Sequence, residues 1–170
     1  MGTISVQVLR VIIWLALAGA LAVQFVIVPL LWRDMTGSGV SALTATLLTG
    51  IAVLAVLALQ VVGVSILRLL TLVRRGRVFS RRSFRYVDLI IGAIAVEALF
   101  PFAIAVIAAV ANRTTPGDEV APGLVGLLCG ASLVIAGVAL VVYVQRQLLA
   151  QATETLARAR NLQSELDEVI

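Results

Sequence analysis

Glu97 sits about ten residues inside a long apolar run, and Pro101 follows it one helical turn later. A charged side chain at mid-depth of a bilayer costs at least ~2.5 kcal/mol on insertion scales, so it turns toward protein rather than lipid. Proline has no N–H, so the Glu97 carbonyl loses its helical donor and a kink is expected at Pro101. One position thus offers a carboxyl and a free carbonyl, on a face with Ala93, Pro101, Ala105 and Ala108. Three more polar side chains fall at a matching depth. Gln24 lies 14 residues after Arg10, Gln60 lies 14 before Arg74, Ser132 lies 14 before Arg146, and Glu97 lies 11 after Tyr86. At 1.5 Å per residue this puts one polar group per helix at about the same level. The expectation is a buried polar layer of Glu97, Gln24, Gln60 and Ser132. It has two readings: a site for a proton or small ligand, or a hydrogen-bond cluster that fixes register.

A second constellation is basic. Arg74, Arg75, Arg77, Arg81, Arg82 and Arg85 fall within 12 residues, interleaved with Phe79, Phe84 and Tyr86. Gly76 permits a tight turn, and Ser80 suits the N-cap of a following helix. Such a segment recognises an anionic partner, either acidic lipid headgroups at about 1 kcal/mol per Arg or an acidic protein surface. Its plainer reading is a topology signal with aromatic interface anchors. Direct nucleic-acid binding is disfavoured so close to a bilayer. The chain's last residues carry the opposite sign, with Glu165, Asp167 and Glu168. Negative charge is unfavourable at a helix C-terminus, so this tail either docks on the basic segment or remains solvated. Gly126 and Gly130 form a small-xxx-small pair that allows close helix packing, within the chain or between two copies.

Other chemistry is excluded by composition. There is no His, and Cys129 is the one cysteine among 170 residues. That rules out a Cys/His metal site, a paired-cysteine redox centre and an internal disulfide. No phosphate-cradling glycine loop is present, and no catalytic residue or cofactor is expected.

The elements that must carry these residues are helices. Hydrophobic residues make up 61% of the chain, against about 45–50% in soluble domains. A spanning helix needs about 20 mostly apolar residues, and four segments qualify: 8–32, 42–73, 87–111 and 123–144. The fold class is therefore all-α, a polytopic membrane protein with a bundle of four transmembrane helices in residues 1–146. The first apolar run, with Ala18-Gly19-Ala20, imitates a cleavable signal, but it continues to Trp32 and is expected to be retained. Residues 147–170 have no Pro or Gly, and Leu148, Ala152, Thr155, Ala159, Leu162, Leu166 and Val169 alternate at spacings of four and three. An amphipathic extension of the last span is expected. Of the 13 arginines, 11 fall on the side of the middle loop and both ends, and only Arg33 and Arg113 on the other. By the positive-inside rule both ends are cytoplasmic.

The segment Arg74-Arg75-Gly76-Arg77-Val78-Phe79-Ser80, followed by Phe84-Arg85-Tyr86-Val87, resembles the Gly-x-[Ile/Val/Pro]-Phe-[Ser/Thr] signature of a bacterial membrane family catalogued as domain of unknown function 2975. The tail from Ala157, with Leu162, Glu165 and the closing Asp167-Glu168-Val169-Ile170, is also similar to the family's end. The resemblance would cover nearly the whole chain. It implies a four-helix protein of the bacterial plasma membrane with no catalytic residues to carry over. It also implies a small helix-turn-helix regulator as a candidate partner. The expected function is regulatory or accessory interaction through the basic loop and the last helix. The alternative is a small proton-coupled transporter or channel subunit that uses Glu97.

Overall fold

The computed structural model describes residues 3–74, 81–114 and 120–167, and all of its regular structure there is helical. Helix α1 (Thr3–Ala22), a π-helical turn (Val23–Ile27) and α2 (Val28–Gly37) form one continuous rod. They are followed by α3 (Ala42–Arg74), α4 (Arg81–Thr114) and α5 (Pro122–Asp167). Four stretches are long and apolar enough to cross a membrane: Ser5–Gly37, Ala42–Leu72, Ser83–Thr114 and Pro122–Leu156. Large apolar side chains point outward, with Phe25 78% and Leu133 75% exposed. In water that surface would be untenable; in lipid it is the expected exterior. The protein is a multi-pass membrane protein built as a four-helix bundle.

Local chemistry explains the element ends. The α2–α3 turn closes with Gly39 at φ 86°, a left-handed conformation that glycine adopts without a Cβ clash. The Val40 N–H donates to the Met35 carbonyl at 3.2 Å, satisfying one of the orphan carbonyls at the helix end. Ser41 caps α3, its Oγ accepting from the Thr44 N–H at 3.2 Å. Helix α5 opens with Pro122, whose missing N–H is harmless at a first helical position.

The π turn has an equally local cause. The Val28 N–H donates to the Val23 carbonyl, one residue further back than in an α-helix. In that register the next donor would be Pro29, which has none. Its ring would also clash with the Phe25 carbonyl in a regular α-helix, and the inserted residue relieves this.

Packing runs in sequence order. The α1–α2 rod packs on α3, α3 on α4, and α4 on α5. Among the described residues α5 touches neither the rod nor α3, and the rod does not touch α4. Contact is close where side chains are small. Ala98, Ala105 and Ala139 are buried between α4 and α5. At Gly63 an added Cβ would come within 3.2 Å of Leu17, so the glycine lets α1 approach α3.

Candidate functional site

The serial packing decides what happens to the polar side chains at mid-depth. Gln60 Nε2 donates to Gln24 Oε1 at 3.0 Å, joining α3 to the π turn. Gln24 in turn reaches toward the Val53 carbonyl, a long 3.5 Å contact. On the other side of the bundle, Ser132 Oγ donates to the Ala98 carbonyl at 2.6 Å, joining α5 to α4. Glu97 bonds to none of these, and its Oε2 is buried without a hydrogen-bond partner. The expected single layer of Glu97, Gln24, Gln60 and Ser132 is therefore corrected to two separate helix-pairing contacts and a solitary carboxyl. The physical reason is azimuth. Residue counting places groups at one depth, but the rod and α5 lie on opposite flanks of the α3–α4 pair. Helix α4 continues through Pro101 to Thr114.

The Arg-rich end holds a second set of contacts. Arg10 Nη2 donates to Thr71 Oγ1 at 2.9 Å, and that hydroxyl donates to the Leu67 carbonyl at 2.9 Å. Arg146 on α5 pairs with Asp88 on α4, with Nε 2.9 Å from Oδ1. Nη2 donates to Oδ2 at 3.1 Å, and the guanidinium stands 5.4 Å from the centre of the Phe84 ring. Phe84 and Asp88 are one turn apart on α4, so they grip one arginine from the same face. At the opposite end, Asn112 Nδ2 donates to the Val120 carbonyl and the Val120 N–H donates to Asn112 Oδ1, each at 2.8 Å. This amide clamp closes the α4–α5 connection.

Neither Asp88 nor Asn112 is among the site residues expected from the sequence. The signal was available. Asp88 lies one residue inside the third span's start and Arg146 two beyond the fourth's end, so antiparallel helices put them side by side.

The basic segment is described only in part. Arg74 closes α3 and Arg81 and Arg82 open α4. Arg85 is exposed, one turn before Leu89. Arg75, Arg77, Gly76 and Ser80 lie outside the described residues, as does Glu168. Glu165 and Asp167 fall in the last turn of α5.

Helix α5 has two faces. Val125, Leu128, Ser132, Ile135, Ala139, Val142 and Arg146 are shielded, as are Ala131, Ala150 and Thr153. The alternating three–four spacing from Val125 to Arg146 is the seam against α4. Gly126 and Gly130 are not on it. A Cβ at either would meet nothing within 4 Å. Of the two expected modes of packing, the one within the chain is corrected accordingly, because the Ser132–Ala139–Arg146 stripe takes that place. At about 100° per residue, Gly126, Gly130, Leu148, Ala152 and Thr155 share the face opposite the seam. Leu148 is 60% exposed. The whole helix has 46 residues, about 69 Å at 1.5 Å per residue, against roughly 30 Å of bilayer hydrocarbon. It continues well past Arg146 with its outer face uncovered.

A family model described as "Protein of unknown function (DUF2975)" matches residues 32–170. The match begins at Trp32, so most of the first span lies outside it, a shorter reach than the resemblance suggested. No curated protein and no solved structure matches the chain.

Proposed function

The chain belongs to that family, and from this premise we propose that it is a non-enzymatic regulatory or accessory interaction protein of the bacterial plasma membrane. Both ends lie in the cytoplasm, on the side of the 11 arginines. The observation that carries this reading is the outer face of α5. It runs from Gly126 through Thr155 with no partner among the described residues, first with small residues suited to close helix contact in lipid, then with an apolar stripe on the extension. The membrane half suits a second copy of the chain. The extension and the neighbouring arginines suit a soluble protein with an apolar groove and an acidic rim, for which a small helix-turn-helix regulator is the candidate.

The test compares the full chain with a version ending at Gln147, each purified from membranes. The reading expects a soluble protein retained by the full chain and lost from the shortened one. Recovery of no soluble protein, or equal recovery with both, overturns it.

A second reading has one observation in its favour. The unpartnered Glu97 carboxyl is the kind of group that a proton-coupled transporter or channel subunit uses. Uptake or charge movement in proteoliposomes, abolished by Glu97→Gln, would establish that role instead.

A further inference from the structure

Between α3 and α4 a groove of about 730 Å³ opens on the lipid-facing side, within the roughly 300–1,000 Å³ typical of ligand clefts. Its walls are apolar, with Leu54, Ala58, Gly92, Ala93, Val96 and Phe100, and its only charged lining residues are Arg85 and Asp88 at one end. Small side chains make the space: a Cβ at Gly92 would meet nothing within 4 Å. A second hollow shares Leu57, Val61 and Leu89 with the first and ends at Arg68 and Tyr86.

The charges at the mouth are unequal. Asp88 is neutralised by Arg146. Arg85 and Arg68 are exposed, and neither makes a side-chain hydrogen bond or ion pair among the described residues. The foot of the groove therefore carries one uncompensated positive charge, Arg85, and the adjoining hollow carries another, Arg68.

Length adds a further constraint. Arg85 and Phe100 are 15 residues apart on α4, about 22 Å at 1.5 Å per residue. Half of a ~30 Å hydrocarbon core is about 15 Å. With Phe100 near the middle of the Ser83–Thr114 span, Arg85 stands about 7 Å outside the hydrocarbon, at headgroup depth. An apolar trough one leaflet long, with a free guanidinium at the level of the phosphates, has the dimensions and polarity of one molecule.

The geometry points to a specific site for a single anionic phospholipid in the α3–α4 groove. An acyl chain lies along Ala58, Gly92, Ala93 and Val96, and the phosphate is held by Arg85 with Arg68 beside it. The site does not depend on the interaction reading above, since no residue of the α5 outer face lines it.

The test is native mass spectrometry of the full chain released from detergent, titrated with phosphatidylglycerol or phosphatidylcholine. One phosphatidylglycerol is expected to bind preferentially, by about fivefold for each arginine engaged. Arg85→Gln should reduce that preference by about fivefold, and it breaks no hydrogen bond or ion pair within the described residues. Gly92→Leu starts from a Cβ with nothing within 4 Å, places its branched end in the trough and should remove the bound lipid. Arg33→Gln, at the other end of the bundle, should change nothing. Glycerol 3-phosphate in excess should fail to displace the lipid, because it lacks the chain that the groove holds. The proposal is overturned if phosphatidylglycerol binds no better than phosphatidylcholine. It is equally overturned if the preference survives Gly92→Leu, which would place the binding on the basic loop, or if glycerol 3-phosphate displaces the lipid. Size-exclusion profiles and helical circular dichroism of each variant separate lost binding from lost folding.

Discussion

Arg146 Nε approaches Asp88 Oδ1 to 2.9 Å, two turns from the start of α4 at Arg81. Above this point the two helices pack through Ala98, Ala105, Ala139 and Ser132; below it α5 has solvent around most of its surface. The pair cross-links α4 to α5 close to the extension, so it helps to fix the direction in which the extension projects.

The pair should contribute modestly to stability and measurably to geometry. Its side chains are 29% and 50% exposed, which places its worth at about 1 kcal/mol or less. Asp88→Asn and Arg146→Gln should each lower the unfolding free energy in micelles by that amount, and the double variant should cost less than the sum. A distance label on α5 beyond Arg146 should show a broader distribution in either single variant. Strict additivity, with an unchanged distribution, would mean the pair is incidental.

The Gln24–Gln60 contact yields a different pattern. Each amide is held in an apolar setting by the other, so removing one leaves its partner short of a bond. Hydrogen bonds between membrane helices average about 0.6 kcal/mol and reach about 1.7. Gln24→Leu and Gln60→Leu should each destabilise within that range, while Gln24→Leu with Gln60→Leu should recover part of the loss. Gln24 also sits in the π turn, and Pro29→Ala supplies the missing amide. Hydrogen exchange near Phe25 should slow in Pro29→Ala if proline is what holds the turn open.

Depth was legible in the sequence, and direction around the helix axis was not. Runs of apolar residues locate the four helices, and residue counting puts Gln24 level with Gln60 and Ser132 level with the third span. In lipid, however, every face of a helix is apolar, so periodicity does not say which side meets a neighbour. That is why Glu97 and Ser132 were grouped with the glutamines, from which the serial order of packing separates them. It is also why the Gly126–Gly130 pair alone does not say whether it packs within the chain or against a second copy. The seam on α5 is instead marked by Ser132, Ala139 and Arg146, a spacing of seven that stands out only once α4 is seen beside it. A carboxylate near a span's end normally needs no partner, so Asp88 carries no mark in the sequence. Here the apolar surroundings and Arg146 make it one half of a contact.

Orientation can be read directly, because the chain has a single cysteine. Cys129 is exposed on α5 within the apolar span, beyond the reach of a charged maleimide. In a Cys129→Ser background, Ser38→Cys should react with membrane-impermeant maleimide in intact cells. Gln163→Cys should react only after the membrane is opened. The opposite pattern would reverse the assignment of the arginine-rich side and remove the cytoplasmic partner from consideration.

Glu97 provides the sharpest separation between the two functional readings. Its Oε2 is buried and has no hydrogen-bond partner, and an unsatisfied buried polar group costs about 1–3 kcal/mol. If the carboxyl has no task beyond occupying its place on α4, Glu97→Met should raise the unfolding free energy in micelles by an amount in that range. Glu97→Gln should change it less, since the amide still wants partners. Retention of a cytoplasmic partner should be unaffected by both, because Glu97 lies at mid-span and the α5 outer face begins on a different helix. A proton-coupled role predicts the reverse emphasis: little interest in the partner assay, and a pH-driven flux in proteoliposomes that vanishes in Glu97→Gln. Destabilisation by Glu97→Met would show instead that a second copy or a bound molecule supplies the carboxyl with a partner.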